Sequence, residues 1–170
     1  MRDFGRAELL EPEAIGEPGK RTFRLRVMSG GDAASLWLEK QQLEALTLAI
    51  RGILEQAGET PDEPEPRGAT FPDQAQVDFK IGRLGIGYDG GQRMVVIFAY
   101  EIADAEKEDA PPAFSCQASL RQCDRFADRA EEVISGGRPL CILCGGPIDK
   151  QGHNCPRRNG HSKRPIALEE

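Results

Sequence analysis

Histidine is almost missing from this chain: two occur in 170 residues, His153 and His161. The body before them offers no imidazole as a general base, so Ser-His-Asp or Cys-His arrangements are excluded unless His161 is free and folds back. Aromatic residues are scarce, at 6% with a single Trp, and the last thirty residues contain none. A tail without aromatics is poorly equipped to stack on unpaired bases. No run of eighteen apolar residues could span a membrane. Met1–Arg6 carries charges with no apolar stretch behind them, so no secretory leader is expected. These absences point to a cytoplasmic protein with no membrane attachment. Its five cysteines would stay reduced there, and disulfides are not expected.

What is present is concentrated near the C-terminus. Cys141-Ile-Leu-Cys144-Gly-Gly-Pro is followed by Gly152-His153-Asn154-Cys155-Pro and then His161, so three of the five cysteines and both histidines fall within residues 141–161. A Cys-x-x-Cys pair can chelate because a tight turn with glycine after the second cysteine aims both sulfurs at one ion. Cys155 supplies a third ligand. His153 is favoured as the fourth, since residues two apart in an extended segment share a face; His161 is the alternative. A closed Cys₃His shell leaves no open position, which marks a structural rather than a catalytic ion, with zinc expected and iron its competitor. A redox reading of the pair is disfavoured, because Pro139-Leu140 before it and Gly145-Gly146-Pro147 after it argue against the helix N-terminus such a thiol needs.

Charge is uneven. The net value is −6, but residues 1–137 are strongly acidic, whereas Arg138, Lys150, Arg157, Arg158, Lys163 and Arg164 face only Asp149 in residues 138–164. The basic tail either leans on its own acidic body or contacts nucleic acid through Arg157, Arg158, Lys163 and Arg164.

Helical periodicity is clearest over Lys40–Gln56, with Leu43, Leu46, Ile50, Ile53 and Leu54 on one face, and again over Leu120–Ser135, with Cys123, Phe126, Ala127, Ala130, Val133 and Ile134. The two patterns superpose at an offset of 80 positions, and Ser119-x-x-Gln122 reads as a capping box. Strands are expected at Thr22–Val27, Ala34–Leu38, Val77–Tyr88 with a bulge at Gly82 or Gly85, Met94–Ile102 and Phe114–Ala118. Gly30-Gly31 and Asp89-Gly90-Gly91 read as hairpin turns, the former in preference to a phosphate-binding loop. Trp37 points away from Leu36 and Leu38 and is expected buried under a second layer.

The expected fold is α+β. An antiparallel sheet is built from two strand-strand-strand-helix halves, 1–57 and 74–137, with both amphipathic helices on one face. The acidic, Pro-rich linker 58–73 is expected to be a mobile connector, and 138–170 to be a zinc-knuckle segment with a basic tail.

Gly16-Glu-Pro-Gly-Lys-Arg-Thr-Phe23, Leu38-Glu-Lys-Gln-Gln-Leu43 and Arg138-Pro-Leu-Cys141-x-x-Cys144-Gly-Gly-Pro-Ile-Asp-x-x-Gly152-His-x-Cys155-Pro-Arg-x-Asn-Gly160 together resemble a mainly actinobacterial family, domain of unknown function 3090. The resemblance covers nearly the full length and implies a zinc-ribbon-bearing protein of the bacterial cytoplasm, with no activity attached. It also implies that Cys141, Cys144, His153 and Cys155 are the ligands, since members usually carry Tyr where this chain has His161. The functional expectation is a non-enzymatic adaptor or regulator with structural zinc, acting through a protein partner and with no catalytic residues. A nucleic-acid-associated protein is the alternative, and a small-molecule enzyme with a carboxylate-based site ranks third.

Overall fold

The computed structural model describes residues 1–17, 19–136, 141–146, 148 and 152–156. The chain divides into two compact units, Met1–Ile134 and Ser135–Glu170.

The first unit is a mixed α+β fold. Its strands are β1 (Arg2–Arg6), β2 (Leu9–Ile15), β3 (Thr22–Ser29), β4 (Asp32–Leu38), β5 (Val77–Asp89), β6 (Met94–Glu101) and β7 (Phe114–Ser119). Its helices are α1 (Lys40–Ala57) and α2 (Leu120–Ser135), and a short 3-10 turn covers Ile102–Asp104. All seven strands form one sheet in the order β1-β7-β6-β5-β4-β3-β2. The glycine-bearing turns at 30–31 and 90–93 join β3 to β4 and β5 to β6, as their sequences indicate.

Two of the pairings are parallel, β4 with β5 and β7 with β1, which corrects the all-antiparallel expectation. A hairpin reverses the chain, but a strand that returns to the same sheet through a helix comes back in the same direction. Helix α1 is such a crossover, from β4 to β5. The strands β1 and β2 were not legible in the sequence, and they decide the topology. Only Ala7 and Glu8 separate them. The Ala7 N–H donates to the Gln117 carbonyl of β7 and the Glu8 N–H to the Met28 carbonyl of β3, each at 2.8 Å. One bent stretch of chain therefore pairs with both ends of the sheet order and closes it on itself.

Burial alternates along the strands as a period-two pattern requires. Phe23, Leu25, Val27, Leu36 and Leu38 face the core, while Arg24, Arg26 and Trp37 lie on the other side and are only half-buried. The same core receives Leu43, Leu46 and Ile50 from α1 and Cys123, Phe126, Ala127 and Ala130 from α2. Trp37 is thus not buried under a second layer. Its indole N–H donates to Asp78 Oδ1 at 2.9 Å, and the Arg24 guanidinium covers its ring at 5.2 Å.

The capping box before α2 is present: Gln122 Oε1 accepts from the Ser119 N–H, and Ser119 Oγ accepts from the Gln122 N–H. Gln42 plays the same part before α1, accepting from the Glu39 N–H at 2.8 Å. The two helices are tied by Arg51, which reaches Asp124 at 3.1 Å, Asp128 at 2.6 Å and Glu131 at 3.0 Å.

The bulge in β5 falls at Gly82, between Ile81 and Arg83. A Cβ there would meet the Ile102 Cα at 2.6 Å and the Ala105 Cβ at 2.8 Å, so only glycine lets the 3-10 turn pack on this corner.

The acidic connector is pinned rather than loose. Glu63 pairs with Arg6 at 2.6 Å and with the Ser119 hydroxyl, and its carbonyl accepts from Arg125. Arg93 donates to the Glu59 carbonyl, Arg121 to the Pro61 carbonyl, and the Arg26 guanidinium lies 4.1 Å from the centre of the Phe71 ring. Composition signalled low burial for this segment but was silent on the arginines, distant in sequence, that bind it as a strap.

Candidate metal centre

The second unit is organised around the turn Cys141–Gly146. The Gly145 N–H donates to the Cys141 carbonyl and the Cys141 N–H to the Gly146 carbonyl, both at 2.8 Å, closing the loop on itself. Gly145 has φ +72°, a left-handed conformation that favours glycine. This lets the Gly146 N–H point back at Cys144 Sγ, 3.4 Å away. The local sequence therefore places both sulfurs on one side of a tight turn, with a backbone donor aimed at one of them.

His153 and Cys155 complete the cluster. One ligand atom from each of Cys141, Cys144, His153 and Cys155 lies within 4.8 Å of all the others. Cys141 Sγ and Cys155 Sγ are 3.7 Å apart, and Cys144 Sγ and His153 Nε2 are also 3.7 Å apart. A tetrahedral ion with Zn–S of about 2.3 Å and Zn–N of about 2.0–2.1 Å has edges of roughly 3.6–3.8 Å. Those two edges match that polyhedron, the others lie within 4.8 Å, and the group could hold a metal ion.

Electrostatics separates these cysteines from the other two. The His153 imidazole foremost, then the backbone N–H groups of Cys144 and Leu143 and the thiol of Cys155, pull the Cys141 thiol down to about 6. Burial pushes Cys116 and Cys123 in the opposite direction, each to about 12. Those two are core thiols, protonated and inert.

A pH dependence follows. A thiolate ligand whose pKa is lowered is present above that value and lost as pH falls through it, and protons compete with the metal for it. A bound cation holds the thiolates ionised lower still. Metal is therefore expected to stay bound at pH 7 and to be released only at a pH lower than the Cys141 value of about 6. Titration of metal-loaded protein with acid, in the presence of a chromogenic chelator, checks this; release beginning above neutral pH would contradict it.

The structure thus brings together the four residues singled out from the sequence. His161, Arg157, Arg158, Lys163 and Arg164 lie outside the described residues, as do Arg138 and Lys150. Among the described residues, no helix is long and apolar enough to cross a membrane. The profile of a family described as Protein of unknown function (DUF3090) matches residues 2–155. That span includes the seven strands and all four clustered Cys and His residues. No curated protein and no solved structure matches the chain.

Proposed function

The chain belongs to the DUF3090 family, and we propose that its Cys₃His cluster holds a structural Zn²⁺ ion and that the protein works as an adaptor or regulator through contacts with a partner protein. The observation that carries the metal reading is the mutual approach of four soft or borderline donors to within 4.8 Å. Three thiolates and an imidazole suit zinc and disfavour hard cations such as Mg²⁺ or Ca²⁺. Four protein ligands leave no position for a substrate, which is the arrangement of a structural ion. None of Cys116, Cys123, Cys141, Cys144 and Cys155 forms a disulfide, in keeping with a reducing cytoplasm.

The contact reading is supported at the tip of the Cys141–Cys144 turn, where Ile142 is 99% exposed and Leu143 46%. The domain reading keeps residues 1–137 as body and 138–170 as knuckle and tail. It treats residues 1–57 and 74–137 as two copies of one strand-strand-strand-helix plan.

Metal analysis of protein purified anaerobically from its native host tests the first part. One zinc and no iron per chain is the expected result, and intact thiols with no bound metal would overturn it. For the second part, replacing Ile142 and Leu143 with Ser should leave the zinc in place and abolish capture of a specific partner. Unchanged capture would remove the turn from consideration.

A further inference from the structure

We propose that a cavity of about 420 Å³ between the Glu63–Ala69 part of the strap and the β1–β2 corner binds a phosphate-type anion, with the Glu63 carboxylate as a tethered competitor. The site stands out because it breaks a repeat. Leu9–Ile15 pairs with Thr22–Met28 in the register with which Arg83–Asp89 pairs with Met94–Tyr100. Phe23 faces Leu38 as Val95 faces Ala118, and Val27 faces Ala34 as Ala99 faces Phe114.

The parallel pairs correspond too. Ala34, Ser35 and Trp37 face Val77, Asp78 and Lys80, while Phe114, Ser115 and Gln117, each 80 positions later, face Arg2, Asp3 and Arg6. The bent stretch β1–β2 thus occupies the place of the long strand β5. Gln42 Nε2 donates to the Ile81 and Gly82 carbonyls, and Gln122 Nε2, also 80 positions later, donates to the Ala7 and Glu8 carbonyls. Arg51 and Glu131, equivalent positions on the two helices, touch each other, as residues beside a twofold axis do.

Against that background the two equivalent corners differ. At Gly82 the chain packs its own Ile102 and Ala105 onto the backbone. At Glu8 the strap stands off and leaves the cavity, whose lining includes Arg6, Arg67 and Arg125. The counterparts of Arg6 and Arg125 in the repeat are Lys80 and Ala45, so the three-arginine set belongs to this corner alone.

The strap supplies acid to it. Glu63 takes Arg6, its carbonyl takes Arg125, and Glu65 lies 3.6 Å from Arg125. Glu8 is engaged by the Gly30 N–H at 3.0 Å. Arg67 is exposed and has no ion pair among the described residues. Three guanidinium groups around one cavity suit the several oxygens of a phosphate, which planar forks bind in pairs. Glu65 is exposed and Glu63 half-buried at the cavity edge, where its partner Arg6 is exposed, so salt screens these pairs in part and an anion can compete for the guanidinium groups.

The choice of this corner rests on the repeat reading above, but its lining and ion pairs do not, and it involves no metal ligand. Calorimetric titration of the full, metal-loaded chain with inorganic phosphate and with pyrophosphate tests it. Saturable binding is expected, tightened about tenfold in Glu63→Gln, where a charged competitor is removed, and weakened about tenfold in Arg67→Met. Lys80→Met, at the other corner, should change nothing. Tighter binding of pyrophosphate assigns a diphosphate-bearing ligand, and equal affinity assigns a monophosphate. Because Arg67 is exposed, its variant should melt like the parent, which keeps a loss of binding interpretable. No saturable binding of either anion to Glu63→Gln at millimolar concentration, or equal effects of Lys80→Met and Arg67→Met, would overturn the proposal.

Discussion

Cys144→Ser is expected to empty the metal site while leaving the seven-stranded unit folded. Cys144 contributes one of four donors, takes the Gly146 N–H on its sulfur, and sits 3.7 Å from His153 Nε2. A serine hydroxyl stays protonated at neutral pH and its oxygen lies short of the sulfur position, so three ligands would remain. Loss of an outer hydrogen-bond partner already costs metal affinity roughly 10–100-fold, and loss of a direct ligand should exceed that. Metal binding in small sites of this kind is folding energy. The segment after Ser135 should therefore become protease-sensitive in the variant. The thermal transition of residues 1–134 should stay within about 0.5 kcal/mol of the parent, the range for changes outside a unit's own packing. Metal analysis after dialysis against a chelator, limited proteolysis and a thermal melt read the three outcomes. Global unfolding on this one change would show that the ion supports the whole chain.

The complementary change is Phe126→Ala. Phe126 is fully buried within the α2 face that packs against the sheet, in the same core as Leu46, its counterpart on α1. Truncating a buried phenylalanine removes its transfer energy and leaves a cavity that the surroundings fill only partly, a loss of about 3–5 kcal/mol. A domain is stable by only about 5–15 kcal/mol, so this should approach unfolding at moderate temperature. Leu48→Ala is the control, because Leu48 is 74% exposed and its truncation should stay within about 0.5 kcal/mol. Denaturant unfolding of both variants separates them. Equal, small effects would mean that α2 does not hold the core together.

The metal cluster was the most legible part of the molecule. Its four residues lie within fifteen positions, and the turn that aims two of them is dictated by Gly145, whose positive φ is a local property. The helices were legible for a similar reason: a 3.6-residue period needs only the neighbouring chain to express itself. The first strand pair was not. Arg2–Arg6 is mostly polar and exposed, and Leu9–Ile15 carries Glu and Pro at alternate positions, so neither shows the apolar pattern of a half-buried strand. The connector was misread because its ion-pair partners, Arg6, Arg121 and Arg125, sit far away in sequence.

By itself, then, the sequence determined the elements whose physics is local: the helices, the hairpin turns, the Cys-x-x-Cys turn and the four Cys and His residues that cluster around it. Tertiary structure alone decided the parallel pairings, the closure of the sheet through β1 and β2, the strap, and the arginine-lined cavity beneath it. Each of these depends on groups brought together from opposite ends of the chain. Pairing over such distances is selected by the lowest free energy of the whole fold, not by any short stretch of residues.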